Sequence, residues 1–211
     1  MSPLARQKPK WRRRAESRPD EILDAALEIF EQDGFDAARV EDIAKAANLS
    51  KAGVYLYFEA KDAILRGLIE REVAPVARNL RVVAETGVEN PVSALRMIAA
   101  ALTELASDKR KFAVPRLVLS LAGRYPDIAA YYRENVVEQG LSAISALLKA
   151  GVEKGVFRPC EPDIAARMFL GPIFLHGFYT HVLLGDPGTL SAEARVKAHT
   201  DILFNGLTLR P

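Results

Sequence analysis

The sequence predicts an all-α fold of about nine helices, with an N-terminal helix-turn-helix domain of three helices and a larger helical domain after it. Apolar residues recur at helical spacing over most of the chain, and no alternating strand pattern is present. Turn signals such as "ENP", "YPD", "RPCEPD" and "GDPG" separate these stretches. With 211 residues, 49% of them hydrophobic, the chain can bury a sizeable core.

The first three predicted helices are short and close together. A helix over 19–30 follows from its single apolar face, and a proline occupies its first turn. A second helix, 40–47, begins with acidic residues, which a helix N-terminus favours. Asn48 ends this helix, and Ser50 is a favourable N-cap for a third helix over 51–58. Two short helices joined by a short turn are typical of a helix-turn-helix.

Six further helices are predicted in the rest of the chain. They cover residues 61–84, 91–107, 110–123, 127–155, 162–184 and 191–208. Pro75 is expected to bend or stop the first of them, because proline removes a backbone donor. We therefore expect three segments: a flexible basic arm over 1–18, the helix-turn-helix domain over 19–66, and the larger helical domain over 67–211.

The N-terminal arm concentrates positive charge. Seven basic residues lie in 1–18 against Glu16 alone, whereas the whole chain carries a net charge of only +2. Such a segment has too little apolar content to fold alone, and a polyanion such as DNA, RNA or an anionic membrane would attract it. By itself the arm fits a solvated tail equally well.

The third predicted helix presents a smooth outer surface. Val54 and Phe58 fall on its inner face, and Ala52 and Leu56 fall on its outer face, where they could contact thymine methyl groups in a major groove. Lys51, at the start of the helix, could reach a guanine or a phosphate.

The tyrosines of this helix are candidates for contacts to the DNA backbone. Hydroxyls of Tyr55 and Tyr57 could bind phosphates, which position a protein without reading sequence. The alternative is that the aromatic run packs a core, which we expect for Phe58 and in part for Tyr57. The candidate DNA-contacting residues in this segment are Ser50, Lys51, Ala52, Gly53, Tyr55, Leu56 and Tyr57.

The stretch "ILDAALEIFEQDGFDAARVEDIAKAANLSKAGVYLYFEAKDAIL", residues 22–65, resembles the DNA-binding domain of the TetR family of bacterial transcriptional repressors. Gly-Phe, Val-x-Asp-Ile-Ala, Ser-Lys and Tyr-x-Tyr-Phe occur in the family's order. The resemblance implies a homodimer whose third helix enters the major groove. It also implies phosphate contacts from Tyr55 and Lys61, with Lys51 as the candidate base reader.

Several positions depart from the pattern that the resemblance implies. Gly53 and Leu56 stand where the family usually has Thr and His. At the start of the second helix, Ala38 and Arg39 stand where a Thr-Thr or Thr-Ser pair is usual, and Ala60 stands where a Ser usually caps the fourth helix. These changes remove neutral hydrogen bonds to the DNA backbone, so other contacts are needed. We expect basic residues to supply them, namely Arg39 and the arm residues Arg12, Arg13 and Arg14.

For the larger domain, the resemblance implies effector binding and dimerisation. The last two predicted helices are apolar over much of their surface, and we expect them to form a four-helix bundle with a second subunit. Candidate ligand-binding residues are Phe112, Arg116, Tyr131, Phe169 and His176. The same residues would equally suit a helical core.

Enzymatic chemistry has little support in the sequence. His176 and His181 are five residues apart and cannot share a metal as an i, i+4 pair could. No nucleophile elbow, phosphate-binding glycine loop or paired-carboxylate motif is evident. We expect no catalytic residue, metal or cofactor.

The sequence also bears on location. No apolar region follows the basic N-terminus, so no signal peptide is expected, and the single cysteine, Cys160, suits a reducing compartment. Residues 168–185 approach the length of a membrane span, but Pro172 and two histidines argue against lipid. We expect a cytoplasmic protein.

These observations predict a one-component repressor that binds a palindromic DNA operator as a homodimer and is released by a small apolar or amphipathic effector. A non-specific, nucleoid-type DNA binder is the alternative, because it would use the same basic arm.

Overall fold

In the computed structural model, which describes residues 10–186 and 188–207, every regular element is a helix. The chain divides into two compact units, Met1–Leu68 and Ile69–Pro211. The first unit contains α1 (Lys10–Asp33), α2 (Val40–Ala46), α3 (Lys51–Tyr55) and α4 (Lys61–Leu68).

The core of the first unit forms where the apolar faces of its four helices meet. Two residues with positive φ turn the chain after helices: Gly34 (φ 80°) follows α1, and Asn48 (φ 55°) follows α2. The fully buried core residues include Ile22, Ala26, Ile43, Val54, Ile64, Leu65 and Leu68. The Phe30 and Phe35 rings pack with centroids 5.1 Å apart and fix the connection between α1 and α2.

Two predicted helix bounds in this unit are wrong. The first helix begins at Lys10, so Pro19 lies in its interior, and residues 10–18 of the expected flexible arm are helical. Arg, Lys, Ala and Glu are strong helix formers, and they continue the helix on the N-terminal side of a proline that costs one backbone hydrogen bond. The third helix ends at Tyr55 instead of residue 58.

The second unit begins with a π-helix, π1 (Ile69–Val73), and also contains π2 (Arg133–Val137). Its α-helices are α5 (Ala74–Thr86), α6 (Pro91–Ser107), α7 (Ala113–Leu121), α8 (Pro126–Tyr132), α9 (Glu138–Glu153), α10 (Pro162–His181) and α11 (Ala192–Leu207). Helix α9 packs against α5 and α10, and α6 packs against α10 and α11.

The two π-helices lie within the predicted segments 61–84 and 127–155, and the first of these segments is expected to bend or stop at Pro75. Pro75 lies in the first turn of α5, directly after π1. Because Pro75 has no N–H for the carbonyl of Arg71, the α-helical ladder cannot run through this point, and the backbone changes its pattern one turn earlier. The predicted helix 127–155 contains π2, which no proline explains.

No helix of the described residues is long and apolar enough to cross a membrane. The 20-residue α10, which lies within the most apolar predicted segment, carries Asp163 and Arg167 in its first half.

Close packing around Phe157 generates a stability prediction. A Cβ at Gly151, on α9, would lie 2.2 Å from the Phe157 ring, which is fully buried. We expect Gly151→Ala to lower the free energy of unfolding by about 1–3 kcal/mol, because the ring cannot move without opening the core.

Chemical denaturation would measure this change, with Gly123→Ala as the control, because no atom lies within 4 Å of its Cβ position. Equal stability of the two variants would contradict the predicted overlap.

Candidate functional site

The short helix α3 is held in place at its start and on one face. The Ser50 backbone is extended, and its Oγ accepts a hydrogen bond from the Gly53 amide at 3.0 Å. This confirms the predicted N-cap. Val54 points inward and is fully buried. The outer face of the helix is thereby fixed relative to α2.

That outer face is exposed. Lys51 and Ala52 are exposed, and Leu56, which directly follows the helix, is 82% exposed. Tyr55 and Tyr57 are also exposed, so neither ring is part of the core. Phe58 is half-buried, close to Gly67 of α4. The core alternative for the aromatic run therefore holds for Phe58 alone.

Lys51, the candidate base reader, has an acidic partner within the motif. Its Nζ lies 2.6 Å from Oε1 of Glu41 in the first turn of α2, and 5.8 Å from the centroid of the Tyr55 ring. The hydrogen bond between them raises the pKa of Lys51 and holds the pKa of Glu41 below its usual value. A DNA contact from Lys51 has to replace this ion pair.

Lys61, the expected phosphate ligand at the start of α4, points into the connection between α1 and α2. Its Nζ donates to the carbonyls of Phe35 at 2.5 Å, Asp36 at 3.1 Å and Ala38 at 3.0 Å, and lies 4.6 Å from the Phe35 ring centroid. An ammonium has three donors. In this arrangement Lys61 fastens the loop, and a phosphate contact would require it to release a carbonyl.

Arg39 is exposed at the N-cap position of α2, where no side chain caps the helix. The neighbouring Ala38 is buried, which leaves Arg39 as the polar side chain at this helix start. Its position suits the expected phosphate contact. The side chains of Arg12, Arg13 and Arg14 lie outside the described part of the chain, so their contacts stay a prediction.

In the second unit, an apolar cavity of about 40 Å³ lies between α5, α6, α8, α9, α10 and both π-helices. It is lined by Val73, Val76, Ala77, Leu80, Leu102, Leu105, Tyr132, Val136, Val137, Gly140, Leu170 and Phe174. Tyr132 alone among these lining residues has a polar side-chain atom, and burial raises the pKa of its hydroxyl. Ligand pockets typically measure about 300–1,000 Å³, so this cavity must open to accept one.

A wider groove of about 230 Å³ adjoins the apolar cavity and shares Val76, Leu80 and Leu105 with it. Its remaining lining is more polar and includes Glu104 and Lys111, which form an ion pair. Three aliphatic side chains therefore separate an apolar space from a charged one.

The structure does not bring the five candidate ligand-binding residues together in one cavity. Phe112 and Phe169 are fully buried in the core. Arg116 donates to the carbonyl of His181, and the Tyr131 hydroxyl donates to Glu70 at 2.6 Å. None of these four lines a described cavity, whereas His176 lines a small one between α6, α10 and α11.

Sequence reasoning missed the residues that line the apolar cavity. Most are aliphatic, and aliphatic residues at helical spacing give the same signal whether they face a core or a cavity. Among the described residues, no group of three or more His, Cys, Asp or Glu side chains could hold a metal ion.

Comparison with known proteins gives the same assignment for both units. The family profile for bacterial regulatory proteins of the tetR family matches residues 22–68. The profile for the C-terminal domain of AefR-like transcriptional repressors matches residues 93–203. The HTH-type transcriptional regulator YfiR of Bacillus subtilis (strain 168) is 30% identical over 176 residues, which are 81% of this chain and 80% of YfiR.

Solved structures agree in fold. The fatty acid degradation regulator FadR from Bacillus halodurans is 25% identical, with a TM-score of 0.71 over 90% of this chain and 99% of FadR. The triclosan complex of SmeT, the repressor of a Stenotrophomonas maltophilia multidrug efflux pump, is 23% identical, with a TM-score of 0.75 over 92% of each chain.

An exposed, capped second helix of a helix-turn-helix is followed by a helical unit that matches the C-terminal domain of AefR-like transcriptional repressors, and this combination defines a DNA-binding transcriptional regulator. The chain belongs to the TetR family of bacterial transcriptional regulators. Its named relatives are regulators and not enzymes.

The Lys61 contacts generate a prediction that separates a structural role from a phosphate-binding role. We expect Lys61→Met to lower the free energy of unfolding by about 1–3 kcal/mol, because carbonyls of the α1–α2 connection lose a charged donor. Lys51→Met, which removes an exposed ammonium from the same unit, should leave stability unchanged. Chemical denaturation without DNA would make the comparison, and unchanged stability in Lys61→Met would contradict the structural role.

The Lys51–Glu41 ion pair generates a prediction about DNA binding. We expect Glu41→Gln to raise affinity for DNA by a few-fold. In this variant Lys51 can bind DNA without first breaking an ion pair, and a negative charge that repels the DNA phosphates is removed. Fluorescence anisotropy at two salt concentrations would measure the change. Glu28→Gln removes an exposed carboxylate from α1 and controls for net charge. An equal gain in both variants would refute a specific role for the pair.

Proposed function

We propose that the chain is a ligand-responsive repressor that binds a two-fold symmetric DNA operator as a homodimer. The exposed face of α3 carries the DNA-binding part of this proposal. An apolar side chain that is 82% exposed at Leu56, beside an exposed lysine and two exposed tyrosines, suits thymine methyls and phosphates in a major groove. The proposed base-contacting residues are Lys51, Ala52 and Leu56, and the proposed backbone-contacting residues are Arg39, Ser50, Gly53, Tyr55, Tyr57, Lys61 and the three arm arginines.

The outer faces of α10 and α11 support dimerisation. Met168 and Leu175 on α10 are 64% and 66% exposed, and Ile202 on α11 is 77% exposed. Burying these large apolar side chains against a second copy would be favourable by about 25 cal/mol for each Å² removed from water. In a two-fold dimer two recognition helices would lie about 34 Å apart, which matches successive turns of DNA.

The apolar cavity and the neighbouring groove support an amphipathic effector. An apolar tail would fill the space beside Leu102, Phe174 and Tyr132, and displacement of Leu80 or Leu105 would connect this space to the groove, where Lys111 would meet a polar head group. The named relatives provide a chemical parallel, since one is a fatty acid degradation regulator and another was solved with triclosan.

Release from DNA would follow if the effector binds one conformation better than the other. The chain runs from α4, which starts at Lys61, into π1 and α5, which line the cavity, so ligand binding acts on the segment that continues from the DNA-binding unit. A typical coupling of about 1–3 kcal/mol would weaken operator binding by about 5–150-fold. As a regulator of chromosomal genes, the protein would act in the cytoplasm.

Selection of fragments of the source genome by the purified protein, followed by footprinting, tests the proposal. Enrichment of a short palindrome with half-sites one helical turn apart is expected. Uniform, strongly salt-dependent retention without a shared site would instead indicate a nucleoid-type DNA binder. Release of the footprint by long-chain acyl compounds or chlorinated phenols would test the effector class.

The dimer is tested by one substitution in α10. We expect Leu175→Glu to yield a monomer with at least tenfold weaker operator binding, because a charge is placed where an apolar face is to be buried. Sedimentation velocity and DNA binding would measure both effects. Val82→Glu introduces the same charge at a half-exposed position of α5 and should change neither. A dimer of unchanged affinity in Leu175→Glu would refute this interface.

A further inference from the structure

A second, more polar cavity of about 100 Å³ lies between α6, α10 and α11. It shares no lining residue with the apolar cavity. The apolar cavity uses Leu102 of α6 and Phe174 of α10, whereas the polar cavity uses the adjacent Thr103 and Ile173. Because successive helical residues point about 100° apart, the two cavities lie on different faces of these helices.

Two polar atoms around this cavity are buried without a hydrogen-bond partner. They are Nε of Arg195 and Nε2 of His199. The two residues are four apart on α11, so their side chains are neighbours on one face of the helix. An unsatisfied buried polar group costs about 1–3 kcal/mol, so two such atoms beside one cavity favour a polar occupant there.

The Arg195 guanidinium is held firmly but its charge is not neutralised. Its terminal nitrogens donate to the carbonyl of Leu190 at 2.5 Å and to Oγ of Ser107 at 2.9 Å. Among the residues that the structure describes, no carboxylate lies within 4.0 Å of this guanidinium. The free Nε–H therefore belongs to an uncompensated positive charge, which favours an anionic or acidic partner.

His199 supplies a complementary group. Burial lowers its pKa, and a hydrogen bond to the backbone of Phe169 opposes this effect. Because Nε2 has no partner, that bond involves Nδ1, so in the neutral ring Nδ1 carries the proton and Nε2 is an acceptor. A hydrogen-bond donor at Arg195 Nε thus stands beside an acceptor at His199 Nε2.

The geometry points to a binding site for a small monocarboxylic acid at Arg195 and His199. One carboxyl oxygen accepts from Arg195 Nε–H, and the other shares a single proton with His199 Nε2. The short alkyl part of the ligand packs on Ala106, Pro172 and Ile173. A phosphate would need more donors than these two residues offer.

Binding at this site takes up a proton at neutral pH. The free acid is ionised there and the His199 ring is neutral, so the complex holds one proton more than its separate components. Besides His199, the charged or titratable side chains that line the cavity are Arg195 on α11 and His176 on α10, and α6 contributes none to the lining. Burial and the charges of Arg195 and His181 also lower the pKa of His176.

Calorimetric titration of the full-length protein with sodium butyrate tests the site. The measurement needs no DNA, so its outcome does not depend on the proposed function. At pH 8, in two buffers with different ionisation enthalpies, we expect uptake of about one proton per bound butyrate, with tighter binding at pH 6. Butyramide, a neutral analogue of similar shape, should bind at least tenfold more weakly.

Two variants and one control identify the residues responsible. Arg195→Gln should weaken butyrate binding at least tenfold, whereas Lys197→Gln removes the same charge from an exposed position on α11 and should have no effect. Because Arg195 also fastens Ser107 and Leu190, His199→Phe provides a second variant, which retains an aromatic ring against Phe169. It should bind butyrate weakly and take up no proton, with thermal unfolding confirming an intact fold.

Four results would overturn the assignment. They are the absence of saturable butyrate binding, equal binding of butyramide, equal binding of inorganic phosphate, and wild-type affinity in both variants.

Discussion

The candidate DNA-binding surface depends on neighbouring elements to hold a helix that is too short to persist alone. An isolated helix of fewer than about 12 residues is marginal in water, and α3 has only five. Burial of Val54, the cap from Ser50 and the loop fastened by Lys61 replace the stability that α3 lacks. The side chains on the outer face of α3 consequently contribute little to stability and can vary without loss of the fold.

Local signals such as capping residues, prolines and apolar periodicity explain which parts of the fold the sequence predicts. Helix α6 matches its predicted bounds, 91–107, because Asn90 caps it, proline occupies its first position and its apolar stripe is continuous. The predicted start of α1 is wrong because the prediction places Pro19 in the first turn of the helix. The strong helix formers before Pro19 instead extend the helix back to Lys10. Pro75 accounts for π1 locally, whereas the periodic apolar pattern of 127–155 gives no sign of π2.

The candidate site was predictable to different degrees in the two units. In the first, polar and aromatic residues at α3 stand out against an apolar pattern, and the structure leaves them exposed. In the second, selection by residue type chose Tyr131, but it is Tyr132 that lines the apolar cavity. One residue changes direction by about 100° on a helix, so composition alone cannot choose between neighbours. Polar contacts such as Tyr131 to Glu70 become visible only when distant segments meet.

The π-helix π2 also has a consequence for how the length of this segment can change over evolution. Each hydrogen-bonded ring of a π-helix contains one residue more than that of an α-helix, so π2 accommodates an additional residue between α8 and α9. Loss of one residue within 133–137 would convert the segment to a regular helix while preserving the helices on both sides. Single-residue length differences at this position are therefore compatible with one conserved fold, although they would reshape the wall formed by Val136 and Val137.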